Sequence, residues 1–204
     1  MIDKNSTKEE VLEAVKQKGS ALLYASYELQ GDRDVVLEAV QRYGLALMYA
    51  CGGLRADREV VLEAVRQAGW ALDYASEELR ADRDVVMTAV RQDGWALKYV
   101  SDELKSDREV VLEAVRQAGW ALEYASEELR NDEEVVMAAV DNEPEALQYA
   151  SEELRADPEI VLAAVRESRH SVRYAGEEVI EEMAVCWAEW YRTHRLHQKY
   201  GDKK

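Results

Sequence analysis

Residues 57–81 read D-R-E-V-V-L-E-A-V-R-Q-A-G-W-A-L-D-Y-A-S-E-E-L-R-A, and residues 107–131 repeat this stretch with only two changes. The opening pattern returns in steps of 25 residues without an insertion. A repeat of fixed length indicates an array in which each unit packs on its neighbours. Seven copies fill residues 7–181, and they start at Thr7, Asp32, Asp57, Asp82, Asp107, Asp132 and Asp157. We call the equivalent positions of successive copies a register.

Each copy is predicted to contain two short helices. Asp57 opens the first helix of its copy as an N-cap, because its carboxylate can accept the free N–H groups of the first turn. Two variants of the repeat support this start. Thr7 precedes Glu10 at the capping-box spacing, and Pro158 stands at the first helical position, where a missing N–H costs nothing.

Glycine is predicted to end the first helix. Gly69 suits a left-handed C-terminal cap, and Pro144, at the same register of the sixth copy, also requires a helix boundary. The second helix is expected to run from the tryptophan to the leucine position, for example from Trp70 to Arg80. Alternation with a period of two residues, which would indicate strands, is absent.

The apolar positions indicate how the helices pack. At roughly 100° per residue, those of the first helix cover about 200°, which fits a helix sandwiched between its equivalents in neighbouring copies. Those of the second helix fall within about 140°. The predicted core positions are Val60, Val61, Leu62, Ala64 and Val65 in the first helix, and Ala71, Leu72, Ala75, Ser76 and Leu79 in the second. We expect the Ser76 hydroxyl to bond back to a carbonyl one turn earlier.

The predicted fold is all-α, an α-solenoid of seven 25-residue two-helix repeats, because a single copy cannot offset its own chain entropy. Residues 1–181 form the repeat domain in this interpretation. Residues 182–204 are predicted to add a longer capping helix and a basic tail to the same domain. Met183, Ala184, Trp187 and Tyr191 form the apolar stripe of that helix.

The repeat resembles a family of tandem repeats known only as a domain of unknown function. The resemblance covers residues 7–181 and rests on V-V-L-x-A-V, G-x-A-L and Y-A-S at fixed spacing. The family's unit of about 50 residues corresponds to two copies here. The resemblance implies no activity and supplies no catalytic residues. The near identity of two copies also allows an engineered consensus protein, although irregularities such as Cys51-Gly52-Gly53 favour a natural chain.

Charge excludes several classes of partner. The formal net charge is −16, and the stretch from Arg192 holds five Lys or Arg against one Asp, so the rest of the chain is more acidic still. An acidic body repels nucleic acid and anionic membranes, and no apolar run approaches the roughly 20 residues of a membrane span. The chain has no signal-peptide pattern and two distant cysteines, which predicts a cytoplasmic location.

The tryptophan register is the main candidate for binding. It holds Trp70, Trp95 and Trp120 and is predicted to lie about 170° from the core centre of the second helix. The tyrosine register, four residues later, keeps Tyr in all seven copies. Indoles in a row indicate either a binding surface, since Trp is enriched at interface hot spots, or staples that hold each second helix on its neighbour.

Three residues after each tryptophan lies the register that varies most in chemistry. It reads Leu23, Met48, Asp73, Lys98, Glu123, Gln148 and Arg173. Variation along a constant frame fits recognition of an extended partner, and drift at an exposed position fits equally well. Asp73, Lys98 and Glu123 are therefore candidate binding residues together with the three tryptophans.

The remaining polar registers indicate structure rather than chemistry. Acidic pairs such as Glu77-Glu78 are interpreted as a solvated face, with a basic peptide as the alternative partner. The serine register lacks an accompanying histidine or acid, and His194 with His197 is a weak metal signal. We predict no enzyme activity, no cofactor and no metal. The predicted function is a scaffold that binds a protein or peptide through an aromatic, acidic-rimmed surface; the alternative is a structural protein that self-associates.

Overall fold

The structure, a computed structural model, describes residues 2–181. Seven long helices of ten residues each, one per copy, form its frame. They are α1 (Lys8–Gln17), α2 (Arg33–Arg42), α3 (Arg58–Gln67), α4 (Arg83–Gln92), α5 (Arg108–Gln117), α6 (Glu133–Asn142) and α7 (Pro158–Glu167). Met1 and residues 182–204 lie outside the described residues, and with them the predicted capping helix, Cys186, His194 and His197.

The predicted starts of the long helices are confirmed. Asp57 accepts the N–H groups of Glu59 at 3.0 Å and Val60 at 3.1 Å, which satisfies two of the first-turn donors of α3. Thr7 and Glu10 form the predicted capping box at the start of α1, and Pro158 occupies the first position of α7. The N-cap residue thus defines where the long helix of each copy begins.

The predicted left-handed glycine cap is wrong. No residue of the described region has a positive φ. Instead, α3 ends at a single extended residue, Ala68, which donates its N–H to the Ala64 carbonyl at 3.0 Å. Gly69 is required for another reason: a Cβ built on it would lie 2.6 Å from the carbonyl oxygen of Ala89 in the next copy. The glycine register therefore permits close approach between copies.

The second helix is not the single helix expected from Trp70 to Arg80. Six residues form a 3₁₀-helix, Ala75 and Ser76 are extended, and a separate short turn follows. The 3₁₀-helices are Gly19–Tyr24, Gly44–Tyr49, Gly69–Tyr74, Gly94–Tyr99, Gly119–Tyr124, Pro144–Tyr149 and Arg169–Tyr174. The short turns are Leu29–Gly31, Gly52–Arg55, Glu77–Arg80, Leu104–Ser106, Leu129–Asn131 and Glu152–Arg155.

The serine register explains the interruption, and its predicted role is wrong. The Ser76 hydroxyl does not bond to a carbonyl one turn earlier; it caps the following turn by accepting the Leu79 N–H at 3.4 Å. Ser76 also donates its own N–H to the carbonyl of Arg55 in the preceding copy at 2.9 Å. An equivalent backbone bond links every successive pair of copies from the first to the seventh. The chain breaks its helix here to connect neighbouring copies.

The core lies between the row of long helices and the row of 3₁₀-helices. Val60, Val61, Ala64 and Val65 of α3 are fully buried, and the Leu72 register supplies fully buried side chains from the first copy to the sixth. Each helix packs on its equivalents in the adjacent copies. The protein is an all-α solenoid, as predicted. Within residues 2–181, no helix combines the length and the apolar character that a membrane crossing requires.

Candidate functional site

The 3₁₀-helices bring the tryptophan register and the variable register together on one side. A 3₁₀-helix has three residues per turn, so side chains at i and i+3 point the same way. Trp70 and Asp73 therefore share one side of their helix, whereas Gly69 and Leu72 share the buried side. The sequence predicted both registers on the same solvent side of the second helix, which on an α-helical wheel leaves them about 60° apart. The tighter helix aligns them.

Each indole contacts the tyrosine of the next copy. Three such pairs occur, all T-shaped, with ring centroids 6.1 Å apart in Trp70–Tyr99, 6.4 Å in Trp95–Tyr124 and 6.0 Å in Trp120–Tyr149. In this geometry the positive edge of one ring meets the negative face of the other. Three members of the tyrosine register, Tyr99, Tyr124 and Tyr149, thus form aromatic joints between adjacent copies.

The indoles also reach solvent. Trp70 is 45% exposed, and Trp95 and Trp120 are half-buried. The Trp70 Nε1–H donates to the Asp93 carboxylate at 2.5 Å, which fixes the orientation of its ring. The indoles therefore combine the two roles considered from the sequence. Each one joins two copies, as a staple does, and each keeps an accessible surface that a partner could contact.

The variable register lies in solvent beside the indoles. Asp73, Lys98 and Glu123 are exposed, and so are the apolar residues Leu23 and Met48 at the same register of the first two copies. These side chains form a continuous exposed line that changes from apolar to charged along the solenoid.

The tyrosines respond to the charges of this line. Burial raises the pKa of the Tyr99 phenol, and the neighbouring carboxylate of Asp73 raises it further. Burial also raises the pKa of Tyr124 and of Tyr149, with Glu123 adding to both. A charge on the variable register is therefore close enough to act on the aromatic joint beside it.

Sequence reasoning missed a row of ion pairs on the long helices. Arg58, the first residue of α3, donates from Nε to Asp82 at 2.8 Å and from Nη2 to Asp84 at 2.8 Å. Both acceptors belong to the next copy. The same arrangement recurs in other copies, where Lys8 contacts Asp32 and Asp34, Arg33 contacts Asp57 and Glu59, Arg83 contacts Asp107 and Glu109, and Arg108 contacts Asp132 and Glu134. The sequence signal for these ion pairs was the recurring D-R-D or D-R-E motif.

The junction between the sixth and seventh copies lacks these connections. Glu133 occupies the arginine register, so it cannot donate to carboxylates of the seventh copy. Pro144 replaces the glycine, and Glu145 replaces the tryptophan and accepts a hydrogen bond from the Ser168 hydroxyl at 2.8 Å. A polar contact stands at this junction where an indole stands in three earlier copies.

The other candidates keep structural positions. Glu77 and Glu78 are exposed in the first turn after their serine cap, as a solvated face requires. The hydroxyls of Ser126 and Ser151 accept backbone N–H groups, in the same way as that of Ser76. Within residues 2–181, no group of three or more His, Cys, Asp or Glu side chains is placed to hold a metal ion.

A family comparison agrees with the repeat pattern. The family model described as a domain of unknown function, DUF4116, matches residues 7–55, 47–80, 57–105, 82–130 and 132–180. The chain belongs to the DUF4116 family. Four of the matches each cover nearly two copies, so the unit of DUF4116 is a pair of the 25-residue repeats seen here. No curated protein and no solved structure matches the chain.

Proposed function

We propose that this protein is a non-enzymatic scaffold that binds a protein or peptide along its row of 3₁₀-helices. The binding residues are Trp70, Trp95 and Trp120 together with Asp73, Lys98 and Glu123, and we call this surface the 3₁₀ face. One observation carries the proposal: three successive 3₁₀-helices each present an indole and an exposed charged side chain on the same side.

The indoles are held ready for a contact. Trp70 packs on Tyr99 and hydrogen-bonds to Asp93, and these two contacts orient its ring before any partner arrives. A side chain that is already ordered loses little conformational entropy on binding. Trp is also the residue most enriched at interface hot spots. These properties support the tryptophans as anchors.

The spacing of the copies favours an extended partner. Packed helices lie about 8–10 Å apart, and an extended chain advances about 3.3 Å per residue. Each copy therefore corresponds to about three residues of an extended peptide. Asp73, Lys98 and Glu123 alternate in charge, which favours a peptide with basic, acidic and basic residues at that interval. The alternating charges therefore specify the partner's sequence more narrowly than the net charge of the protein does.

The long helices offer a less suitable surface. Their exposed arginines, such as Arg58, already pair with carboxylates of the next copy. A partner that covered them would have to desolvate these charges or break the pairs, which is costly. The surface of the 3₁₀ face instead combines apolar rings with charges free of such pairs along its centre.

The proposed scaffold is non-enzymatic, and the repeated serines support this part of the proposal. The repeated serines use their hydroxyls as helix caps, as Ser126 does for the Leu129 N–H at 3.3 Å. A nucleophilic serine would instead require a base within hydrogen-bond reach. The repeated side chains thus support binding rather than turnover.

The test is a selection from a library of random twelve-residue peptides, each displayed on phage and panned on the full chain. Peptides enriched on the protein are then titrated against two variants of equal charge change. One reverses the exposed charges of the 3₁₀ face (Asp73→Lys, Lys98→Glu, Glu123→Lys). The other makes matching reversals on the long helices (Arg116→Glu, Asp141→Lys, Glu167→Lys), all at exposed positions.

We expect the enriched peptides to carry basic, acidic and basic residues at roughly three-residue spacing. The first variant should weaken binding at least about tenfold, by reversing three favourable charge contacts. The second should leave affinity within about twofold, because it changes net charge equally at a different surface. Equal affinity for both variants, or no enriched peptide at all, would contradict the proposal.

A further inference from the structure

Tyr49 lacks the indole that covers three of its equivalents; Tyr74, which follows Leu45, and Tyr174, which follows Glu145, lack it as well. Tyr99, Tyr124 and Tyr149 each receive a tryptophan from the preceding copy, at 6.0–6.4 Å between ring centroids. The residue of the first copy that stands in this position, in front of Tyr49, is Ser20. A serine is far smaller than an indole, so the aromatic joint is incomplete here.

A recess lies at this position. Ser20, Ala21, Leu23, Tyr24 and Tyr49 line one side of a cleft of about 870 Å³ at the N-terminal end of the solenoid. Tyr24 is 58% exposed and Leu23 is 46% exposed. A contiguous patch of exposed apolar side chains commonly marks an interaction site, and Leu23 and Tyr24 are adjacent within this cleft. The recess thus offers an aromatic ring the same neighbour that Trp70 finds in Tyr99.

The rim of the recess is acidic. Glu9, Glu10 and Glu13 of α1 line the same cleft, against one basic residue, Lys18. Glu9 and Glu13 are exposed. The site therefore favours an aromatic side chain followed or preceded by basic residues. This is the chemistry of one segment of the chain itself.

We propose that the recess binds the aromatic C-terminal segment of a second copy of this protein. The segment carries Trp187, Trp190 and Tyr191, and the basic residues Arg192, Arg195, Lys199, Lys203 and Lys204 follow directly. An indole of this segment occupies the position in front of Tyr49, and the basic residues meet the carboxylates of α1. The indole of one molecule then contacts Tyr49 of another in the way that Trp70 contacts Tyr99 within one molecule.

The reach of the chain makes the contact intermolecular. Trp187 and Trp190 lie six and nine residues after Glu181, the last described residue, and nine residues span at most about 32 Å. The recess belongs to the first copy and Glu181 to the seventh, and successive copies are about 8–10 Å apart along the solenoid. The recess lies in the first copy and the aromatic segment follows the seventh, so the contact is head-to-tail and can continue from molecule to molecule.

This association is independent of the 3₁₀ face, because it uses neither its tryptophans nor its charges. Two variants of the full chain test it by sedimentation velocity over a concentration series. Ser20→Trp fills the recess with an indole from the chain itself. The triple variant Trp187→Ala, Trp190→Ala, Tyr191→Ala removes the aromatic segment and leaves the recess open.

We expect the unmodified chain to sediment faster as concentration rises, and each variant alone to remain monomeric. An equimolar mixture should form a one-to-one complex, because the triple variant supplies the open recess and Ser20→Trp supplies the segment. Ser20→Ala is the matched control and should associate like the unmodified chain. The association should weaken as salt is raised, since its rim contacts are ionic.

Three results would overturn the proposal: an unmodified chain that stays monomeric at every concentration, association that survives in both variants, or a mixture that forms no complex. The triple variant changes only residues outside the repeats, so it tests the proposal even if Ser20→Trp alters folding. Peptide binding at the 3₁₀ face would remain in every one of these chains, so the two proposals fail separately.

Discussion

Trp70 meets Tyr99 of the following copy in a T-shaped contact, with ring centroids 6.1 Å apart and an angle of 61° between the rings. The contact joins two copies, orders the indole and leaves part of it in solvent. One pair thus connects the stability of the solenoid with the surface it presents. The same relationship in the next two copies turns a local contact into a row.

The aromatic pairs should contribute measurable coupling between copies. A double-mutant cycle of Trp95→Leu and Tyr124→Leu, followed by urea unfolding, should give a coupling free energy of about 0.5–1.5 kcal/mol, typical of an aromatic pair. Leucine keeps each position apolar, so the cycle isolates the ring–ring contact. Additive losses, within about 0.3 kcal/mol, would mean that the rings touch without stabilising the joint.

Two glycines provide a matched test of close approach. Gly69→Ala should destabilise the fold by about 1–3 kcal/mol, because the new methyl group would lie 2.6 Å from the Ala89 carbonyl oxygen and force two copies apart. Gly52→Ala meets nothing within 4 Å and should stabilise the short turn by up to about 1 kcal/mol. Urea midpoints measure both. Similar effects from the two substitutions would refute the packing role of the glycine register.

The missing ion pair at the last junction can be restored. Glu133→Arg should raise the urea midpoint, because an arginine there can donate to Asp157 and Glu159 as Arg108 does to Asp132 and Glu134. Glu133→Gln removes the negative charge without adding a donor, so it separates relief of repulsion from formation of the pair. The expected order of midpoints is Arg above Gln above Glu. An equal midpoint for Arg and Gln would show that the pair adds nothing.

The ion pairs also predict acid sensitivity. Hydrogen bonds from Arg58 and Arg108 hold the pKa of Asp82 and of Asp132 below the ordinary aspartate value. A lowered folded pKa stabilises the fold fully above the unfolded value of about 3.9, and this stability is lost as pH falls through the folded value. The free energy of unfolding should therefore decline through this acidic range.

The matched variant is Arg58→Met with Arg108→Met, which removes both donors and keeps the N-cap aspartates. Urea unfolding from about pH 7 to about pH 2 should show a shallower acid decline in this variant, since less stability depends on the ionised carboxylates. Parallel profiles for the two proteins would mean that other carboxylates account for the acid sensitivity.

The sequence predicted what depends on residues close together in the chain. The N-caps at Thr7 and Asp57, the first-position Pro158 and the buried valines of α3 follow from local pattern and period. The break at Ser76 does not. It depends on a backbone bond to Arg55 in the preceding copy, a contact that no helical period reveals.

The same limit applies to the candidate site. The sequence predicted that the tryptophan register and the variable register lie on the same solvent side of the second helix, but it did not predict the 3₁₀ geometry that aligns Trp70 with Asp73. The arginine of each D-R-D or D-R-E appeared as an exposed first-turn residue, because its partners, such as Asp82 for Arg58, lie 24 residues further on. Both features depend on contacts between copies. To predict them from the sequence, one would need to know the distance from one copy to the next.

The most direct test of the 3₁₀ face is the accessibility of its indoles. Trp187→Phe with Trp190→Phe leaves Trp70, Trp95 and Trp120 as the only tryptophans. Acrylamide quenching of this variant should show accessible indoles with red-shifted emission, and the further change Trp70→Phe should remove the most strongly quenched component. Weak quenching and blue emission from all three would place the row inside the joints between copies and contradict its role as a binding surface.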